Sequence, residues 1–440
     1  MKYKKILSAV FLIPVLFSGC SFGTSIDNLM SPPKLSLEQE QIYSALTDAT
    51  GTSISLKYPK SGKYLSAFII EDIDGDGGNE AVVFYEKTSL AVEENTLRIN
   101  ILDKDENDEK WRSVYDTPAD GTEIEKVIIS KLGENQRINL IIGSSYINRS
   151  EKSVSVYNYD NGNFAKTFTD SYSFIDVSDL DKDSQNEFLV LTGATANSRA
   201  LAVAYKLDSE GKYHKYSREL SGNFTEFDNI SYGDIGEGKT GLYIDSASGM
   251  GMIQSDVIYM DSSGLHKIFS SPDESSATLR PAGCTSFDVD RDGMPEIPVQ
   301  VIFPNYEGVS ESEQMKQTNW LYINKNKKLE AKYYSYYSIN NGYIFIFPDK
   351  WKDCVTVKRD AVNDEIVFCS YTEGSVGREL LRIYCAEDAV TRDDRIYTGY
   401  MLLKTKGESS YLAYIPKSAD NSDGLSLTAG DVAVGFRFME

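Results

Sequence analysis

The sequence contains little histidine and little cysteine, and each shortage excludes a kind of chemistry. Two histidines and five cysteines occur among 440 residues, and no two cysteines are spaced as C-x-x-C. Zinc sites of the common types and thioredoxin-like redox chemistry are therefore not expected. His214 and His266 lie in polar stretches typical of surface strands, and no phosphate-binding glycine loop or metalloprotease motif is present. These absences favour a protein that is not an enzyme.

Positive charge and long apolar runs are also scarce. The chain has 45 Lys and Arg against 66 Asp and Glu, which gives a net charge of −21. A surface of this charge repels nucleic acid, so no nucleic-acid partner is expected, and it suits an exported protein that binds cations. The one long apolar run, residues 6–17, is too short to span a bilayer as a stable helix.

The N-terminal segment, residues 1–20, is predicted to be a signal peptide. Lysines at positions 2, 4 and 5 precede the apolar run, as in the positive region of such peptides. The run ends in Leu16-Phe17-Ser18-Gly19-Cys20, which resembles the bacterial lipobox. The resemblance implies cleavage before Cys20, acylation of that cysteine by a fatty acid such as palmitate, and anchoring on the extracytoplasmic face of the cell membrane. An ordinary secretory signal is the alternative. Residues 21–35 are expected to form a flexible tether.

An acidic segment of nine residues occurs three times. It reads D-I-D-G-D-G-G-N-E at 72–80, D-L-D-K-D-S-Q-N-E at 179–187 and D-V-D-R-D-G-M-P-E at 288–296. Two weaker copies begin at Lys131 and Asp234, so the repeat is about fifty residues long, as in propeller blades. Each copy lies between two apolar strand patterns, and two further alternating strands follow. The sequence thus predicts a mainly β protein with a five-bladed β-propeller of four-stranded blades over residues 60–340.

The pattern D-x-D-x-D-G-x-x-E between two strands resembles the FG-GAP/VCBS-type repeat of integrin-α-like propellers. The Phe-Gly…Gly-Ala-Pro part of that repeat is not recognisable, which places the chain nearer the bacterial VCBS-like proteins. The resemblance implies about three structural Ca²⁺ sites, each built from the oxygen ligands that calcium prefers. The implied ligands are Asp72, Asp74, Asp76, Gly78 and Glu80 in the first copy, Asp179, Asp181, Asp183, Gln185 and Glu187 in the second, and Asp288, Asp290, Asp292, Met294 and Glu296 in the third. The weaker copies keep too few carboxylates and are expected to be metal-free turns.

The regions before and after the repeats are expected to have structures different from that of the repeats. Residues 36–59 are predicted to contain a helix that begins with a capping box formed by Ser36 and Gln39. Residues 341–440 have strand patterns but no acidic segment, and are expected to form a smaller domain built on an antiparallel sheet, either all-β or α+β. Cys354 and Cys369 flank a predicted hairpin there and could form a disulfide, or remain free buried thiols. In the tyrosine run at 333–337, alternation predicts one set of rings in the core and the other between domains.

The predicted ligand-binding face is the one opposite to the acidic segments. The connections from the second to the third strand of each blade emerge there, and they are rich in Ser, Thr, Gly, Asn and Tyr. Tyr146, Asn197 and Tyr306 are the candidate binding residues. The predicted function is a non-enzymatic binding or scaffold module at the cell surface for a glycan or protein ligand. A carbohydrate-active enzyme and an envelope-assembly partner protein are the alternatives.

Overall fold

The computed structural model describes residues 35–88, 97–104, 109–147, 149–160, 162–417 and 422–438. The predicted signal peptide, Cys20 and all but the last residue of the predicted tether lie outside the described residues. In the part of the chain that is described, no helix is both long enough and apolar enough to cross a membrane. The described residues form mainly antiparallel β-structure, in six sheets.

The first three sheets follow one another along the chain. Sheet 1 contains β1 (Ile54–Leu56), β2 (Phe68–Glu71), β3 (Glu80–Lys87), β4 (Leu97–Lys104) and β5 (Trp111–Pro118). Sheet 2 contains β6 (Glu123–Leu132), β7 (Arg137–Ser145), β8 (Lys152–Asp160) and β9 (Asn163–Tyr172). Sheet 3 contains β10 (Phe174–Ser178), β11 (Glu187–Thr192), β12 (Leu201–Leu207) and β13 (Tyr213–Glu219).

The last three sheets have five strands each. Sheet 4 contains β14 (Phe227–Asp234), β15 (Thr240–Gly249), β16 (Met252–Asp261), β17 (Gly264–Lys267) and β18 (Arg280–Pro281). Sheet 5 contains β19 (Ile297–Ile302), β20 (Lys316–Ile323), β21 (Leu329–Ser338), β22 (Tyr343–Ile346) and the last strand, β28 (Phe436–Phe438). Sheet 6 contains β23 (Val355–Asp360), β24 (Glu365–Thr372), β25 (Ser375–Ala386), β26 (Met401–Lys406) and β27 (Ser409–Tyr414). The helices are α1 (Leu37–Thr50), α2 (Pro272–Ser276), α3 (Ala389–Tyr397) and α4 (Ala429–Gly435).

Sheets 2 and 3 have the topology that the repeat predicts. Their four strands pair in chain order, each with the strand before it and the strand after it. The second strand in each sheet is apolar because both of its faces are covered. In β7, for example, Ile141 packs between sheets 2 and 3, whereas Ile142 packs between sheets 1 and 2. The prediction of a mainly β protein is confirmed, and sheets 2 and 3 are four-stranded antiparallel sheets of the predicted kind.

The two ends of this series of sheets are covered differently. On β3, Val82 and Phe84 face sheet 2, while Val83 and Tyr85 pack against α1. The capping box predicted at the start of α1 is present. At the other end, sheet 6 covers sheet 5, and Phe345 belongs to a core that also includes residues of sheet 6. A helix therefore covers the outer face of sheet 1, and a sixth sheet covers the outer face of sheet 5.

The chain beyond residue 340 contributes to two sheets. β22 pairs with β21 in sheet 5, and β28 then pairs with β22. The remaining strands form sheet 6, which is antiparallel. Cys284, Cys354, Cys369 and Cys385 are free thiols, so the disulfide considered between Cys354 and Cys369 is not formed.

Candidate metal centres and a polar cavity

The three acidic segments form loops at one end of their sheets. Loop 1 (residues 72–80) joins β2 to β3, loop 2 (179–187) joins β10 to β11, and loop 3 (288–296) leads into β19. In each loop, carboxylate oxygens at positions one, three and nine lie within 4.8 Å of one another. Two oxygens bound to one calcium ion at about 2.3–2.6 Å lie no more than about 5 Å apart. Each of the three loops could therefore hold a metal ion.

The aspartate at position one curls each loop. Asp72 accepts hydrogen bonds from the backbone N–H groups of Gly75 at 2.5 Å and Gly77 at 3.2 Å. Asp179 accepts one from Ser184 at 3.0 Å, and equivalent bonds form in loop 3. These side-chain bonds to backbone N–H groups three and five residues further on bend the backbone without help from neighbouring strands. Ser184 occupies the position of Gly77 with φ at 71°, so loop 2 carries the strain expected when a glycine is replaced.

The glutamate at position nine is buried, and its carboxylate is hydrogen-bonded to the start of its own loop. The N–H group of the second loop residue donates to Glu80, Glu187 and Glu296 at 2.9, 2.8 and 2.9 Å, respectively. Burial raises the pKa of each of these glutamates to about 7. A cation beside such a carboxylate stabilises its charged form. The donor set of carboxylates fits a hard divalent cation.

The residues at position seven complete the turn. The N–H groups of Gly78, Gln185 and Met294 donate to the aspartate at position five of their own loops, at 2.6, 2.8 and 2.9 Å, respectively. These bonds return the chain towards the next strand. The role of the three carbonyl oxygens as metal ligands stays a prediction.

A lysine lies inside two of the three loops, which sequence reasoning did not predict. Lys206, on β12, contacts Asp181 and Asp183 at 2.6 Å each. Lys332, on β21, contacts three carboxylates of loop 3 at 2.6–2.8 Å. Within the described residues, the carboxylates of loop 1 have no such partner.

The two weaker copies of the segment form turns, as predicted. The first lies between the end of β6 at Leu132 and the start of β7 at Arg137. The second lies between Asp234, which ends β14, and Thr240, which begins β15. Both occupy the same place in their sheets as the acidic loops. That they bind no metal stays a prediction.

The three residues predicted to bind a ligand lie on different connections. Tyr146 follows β7, and the guanidinium of Arg149 lies 5.2 Å from its ring. Asn197 is exposed on the connection after β11. Tyr306 follows β19 and donates its hydroxyl hydrogen bond to the carbonyl of Val357 in sheet 6 at 2.9 Å. Tyr306 therefore helps to join sheets 5 and 6, and a ligand role for all three residues stays a prediction.

A row of polar side chains crosses sheet 2 at the end opposite to its turn at residues 132–137. The strand register places Glu123 beside Ser145, Ser145 beside Lys152, and Lys152 beside Tyr172. A cavity of about 250 Å³ opens next to this row, between sheets 2 and 3 and the segment that contains Ser61. We call its polar residues and their partners the inner-strand cluster, which consists of Lys60, Glu125, Lys126, Lys152, Tyr172 and Asp176.

Glu125 is the centre of the inner-strand cluster. Its side chain is 18% exposed, and it contacts Lys60 at 2.7 Å and Lys152 at 3.3 Å. The hydroxyl of Ser145 also donates to it at 2.7 Å. Burial raises the pKa of Glu125, but the hydrogen bonds from Lys60 and Ser145 and the charge of Lys152 outweigh that effect and bring the pKa to about 2. Glu125 is therefore charged at neutral pH.

Lys126 and Tyr172 bring two further functional groups to this cavity. Lys126 donates to the carbonyl of Ile175 at 3.1 Å and lies 3.5 Å from Asp176. Tyr172 is buried, and its hydroxyl has no hydrogen-bond partner among the described residues. Burial and the charge of Glu125 raise the pKa of Tyr172, so its hydroxyl keeps its proton. A carboxylate, two ammonium groups and a phenol thus meet at one cavity.

A cavity of about 400 Å³ is lined partly by Asp288 and Asp290 and so belongs to loop 3. Two other cavities that are larger than the one beside Glu125 have less concentrated chemistry. One of about 590 Å³ lies between sheets 4 and 5 at the end that carries loop 3, and its two glutamates, Glu237 and Glu330, are exposed. The other, of about 460 Å³, is lined by hydroxyl and amide groups and by Arg199, without a carboxylate. The inner-strand cluster is therefore the stronger candidate for a reactive site.

No protein-family model matches this sequence, and no curated protein shows significant similarity to it. Several solved structures have propeller-like folds similar to that of this chain. An exotype rhamnogalacturonan lyase, YesX, is 12% identical with a TM-score of 0.29, and the match covers 75% of this chain and 63% of the lyase. The Bacillus licheniformis rhamnogalacturonan lyase PL11 is 12% identical with a TM-score of 0.26, over 75% and 62% of the two chains. The Pseudomonas aeruginosa periplasmic gluconolactonase PpgL is 12% identical with a TM-score of 0.26, over 74% and 88% of the two chains.

These likenesses concern the fold alone, and this chain spans less than two thirds of the length of either lyase. They nevertheless correct one prediction. The non-enzymatic binding or scaffold module predicted from the sequence is contradicted, because the propeller-like structures described above are those of two lyases and a lactonase. The alternative, a carbohydrate-active enzyme, stays a proposal.

Proposed function

We propose that the protein is a carbohydrate-active enzyme whose substrate binds at the inner-strand cluster. The observation that carries this proposal is the meeting of Glu125, Lys126, Lys152 and Tyr172 at one cavity. Charged and hydrogen-bonding groups that converge on a cavity are the usual features of a site for a small polar ligand. They lie at the end of the sheets opposite to the acidic loops, where the polar connections also emerge.

The charges of the cluster favour an acidic sugar over a neutral one. The ammonium groups of Lys126 and Lys152 provide donors for a sugar carboxylate. Glu125 stays charged at neutral pH and provides an acceptor for sugar hydroxyls. The hydroxyl of Tyr172, a residue that lines the cavity, has no partner among the described residues, so its hydrogen-bonding capacity is not used within the protein.

The scaffold of this proposed enzyme is a series of five blades of the FG-GAP/VCBS type, sheets 1–5, whose outer faces at the two ends are covered by α1 and by sheet 6. The acidic loops support this assignment, because each of them leads into an apolar strand of its sheet, β3, β11 or β19. The ion that these loops bind is proposed to be calcium, because carboxylate oxygens at this spacing suit it. Residues 341–440 are proposed to be an accessory domain. Acylation at Cys20 would hold the enzyme at the extracytoplasmic face of the cell membrane, where polysaccharides are accessible.

The test is a polysaccharide panel that contains both neutral and uronate-rich polymers. The full chain is incubated with each polymer, and new reducing ends and the ultraviolet absorbance of unsaturated products are followed. We expect activity on a uronate-rich polymer. Tyr172→Phe should lower kcat/KM at least about tenfold, because it removes one hydrogen bond to the reacting complex.

Tyr157→Phe is the matched control. Tyr157 is also a buried tyrosine of sheet 2 whose hydroxyl has no hydrogen-bond partner among the described residues, but it does not line the cavity. Its replacement should leave kcat/KM unchanged. Equal losses in the two variants, or no activity on any polymer, would contradict the proposal.

A further inference from the structure

The three acidic loops share a sequence pattern but not the charges around them. In sheet 1, Ala81 pairs with Leu102, so the next residues along the ladder, Glu80 and Asp103, lie side by side. In sheet 3, Phe188 pairs with Tyr205, which places Glu187 beside Lys206 in the same way. The position next to the closing glutamate is therefore a carboxylate in loop 1 and an ammonium in loop 2.

Loop 1 collects negative charge without a balancing cation. Asp72, Asp74, Asp76 and Glu80 belong to the loop, and Asp103 is the fifth carboxylate. Among the residues that the structure describes, none of the five has an ion-pair partner. Glu80 is 1% exposed, and its only described hydrogen bond goes to Oε2, from the N–H of residue 73. The other oxygen, Oε1, accepts no hydrogen bond from the described residues, and one carboxylate oxygen of Glu80 belongs to the group of possible ligand atoms.

Loop 3 already contains a cation. The ammonium of Lys332 lies 2.7 Å from Asp290, 2.6 Å from Asp292 and 2.8 Å from Glu296. An ammonium has three N–H donors, so these three carboxylates use all of them. Calcium–oxygen distances are about 2.3–2.6 Å, so the ammonium lies close to where an ion would. The hydroxyl of Tyr333 also donates to Asp290 at 2.6 Å.

Loop 2 is intermediate between the other two. Lys206 contacts Asp181 and Asp183, but its ammonium lies 3.5 Å from Glu187. One side-chain oxygen each of Asp181, Gln185 and Glu187 is buried with no hydrogen-bond partner in the described part of the chain. Three acceptors therefore remain for an ion, although one positive charge is already present.

We propose that Lys332 is the resident cation of loop 3, so that a divalent cation binds most tightly at loop 1, more weakly at loop 2 and not at loop 3. This inference rests on the proposed binding of calcium by the acidic loops. It makes the lysine on a neighbouring strand, rather than the nine-residue pattern, the feature that decides which loops bind an ion.

The test is calorimetric titration of Ca²⁺ into the full chain after removal of bound metal with a chelator. We expect two ions per chain. Asp74→Asn should raise the Kd of the tighter site at least about tenfold, because that site loses an anionic ligand. Asp290→Asn should leave the number of ions unchanged. Lys332→Met should add one ion, because loop 3 then has four carboxylates and no ammonium.

Lys328→Met is the control for the lysine replacement, because Lys328 is exposed and pairs with Glu274 rather than with an acidic loop. It should bind as many ions as the unaltered chain. Melting curves with and without Ca²⁺ establish that each variant is folded. Three ions bound by the unaltered chain, or the loss of one ion in Asp290→Asn, would overturn the inference while leaving calcium binding intact. Binding of no ion would overturn both.

Discussion

At the level of single residues, Arg280 and Asp245 form a fully buried ion pair, and both side chains are 0% exposed. The guanidinium donates to Asp245 at 2.7 Å, to the hydroxyls of Ser255 and Ser286, and to the carbonyls of Thr278 and Cys284. All five of its N–H groups therefore have acceptors. This network joins β15, β16 and the segment before loop 3.

Replacement of Arg280 is expected to be strongly destabilising. Arg280→Met leaves the carboxylate of Asp245 buried without its cation, which costs about 3–5 kcal/mol in free energy of unfolding. Arg359→Met is the control, because Arg359 is 66% exposed in its pair with Asp364, and it should leave the free energy of unfolding nearly unchanged. Urea unfolding of the three proteins measures the difference. Similar midpoints for both variants would show that the buried pair contributes no more than a surface pair.

Glu125 should make the free energy of unfolding depend on pH. Its folded-state pKa of about 2 lies below the ordinary value of 4.5, so its contribution to stability is present above about pH 4.5 and is lost as the pH falls towards 2. Glu125→Gln should therefore cost about 1–3 kcal/mol at pH 7, and the cost should shrink between pH 4.5 and pH 2. Urea unfolding at several pH values measures it. Glu151→Gln, at an exposed neighbouring site, should show no such trend, and a cost that is constant with pH would contradict the assignment.

The carboxylates of the acidic loops could be predicted from the sequence, because the whole pattern lies within nine residues. Lys206, Lys332 and Asp103 could not, because each reaches its loop from a later strand of the same sheet. The inner-strand cluster was missed for the same reason. Glu123, Ser145, Lys152 and Tyr172 become neighbours only through the register of four strands, and register was not available from the pattern alone.

At the level of single elements, α1 substitutes for a sheet. It packs Ile42 and Leu46 on the face of β3 that does not contact sheet 2. Leu46→Ala should cost about 2–5 kcal/mol in free energy of unfolding, because it leaves a cavity in that contact. Leu37→Ala is the control from the same helix, because Leu37 is 74% exposed, and should change stability by no more than about 0.5 kcal/mol. Thermal and urea unfolding check both. An equal, small effect of the two replacements would mean that α1 adds little to the stability of sheet 1.

The tyrosine run on β21 behaves as strand alternation predicts. Tyr333 and Tyr337 pack with Trp320 in one cluster, while Tyr334 and Tyr336 pack on the core shared with sheet 6. Alternation was enough here because it fixes which side chains share a face. It could not predict that β22 would extend the same sheet, since the acidic pattern that marks the repeats stops before it.

At the level of the whole molecule, the sequence predicted the class of fold better than its extent. The regular spacing of the acidic loops predicted a series of antiparallel sheets, and the described residues contain them. The sequence did not indicate what would cover the first and last of these sheets, because such contacts join segments far apart in the chain. A helix from the N-terminal side and a sheet from the C-terminal side have that role.

The pairing of β28 with β22 ties the end of the chain to its middle. Synthesis proceeds from the N terminus, so sheet 5 lacks its last strand until residues 436–438 are made. Until then β22 has a free edge that carries Tyr343 and Phe345, and free apolar edges pair readily with other chains. A truncated copy of this protein would display that edge permanently, which would make it a good target for proteases that remove incomplete chains.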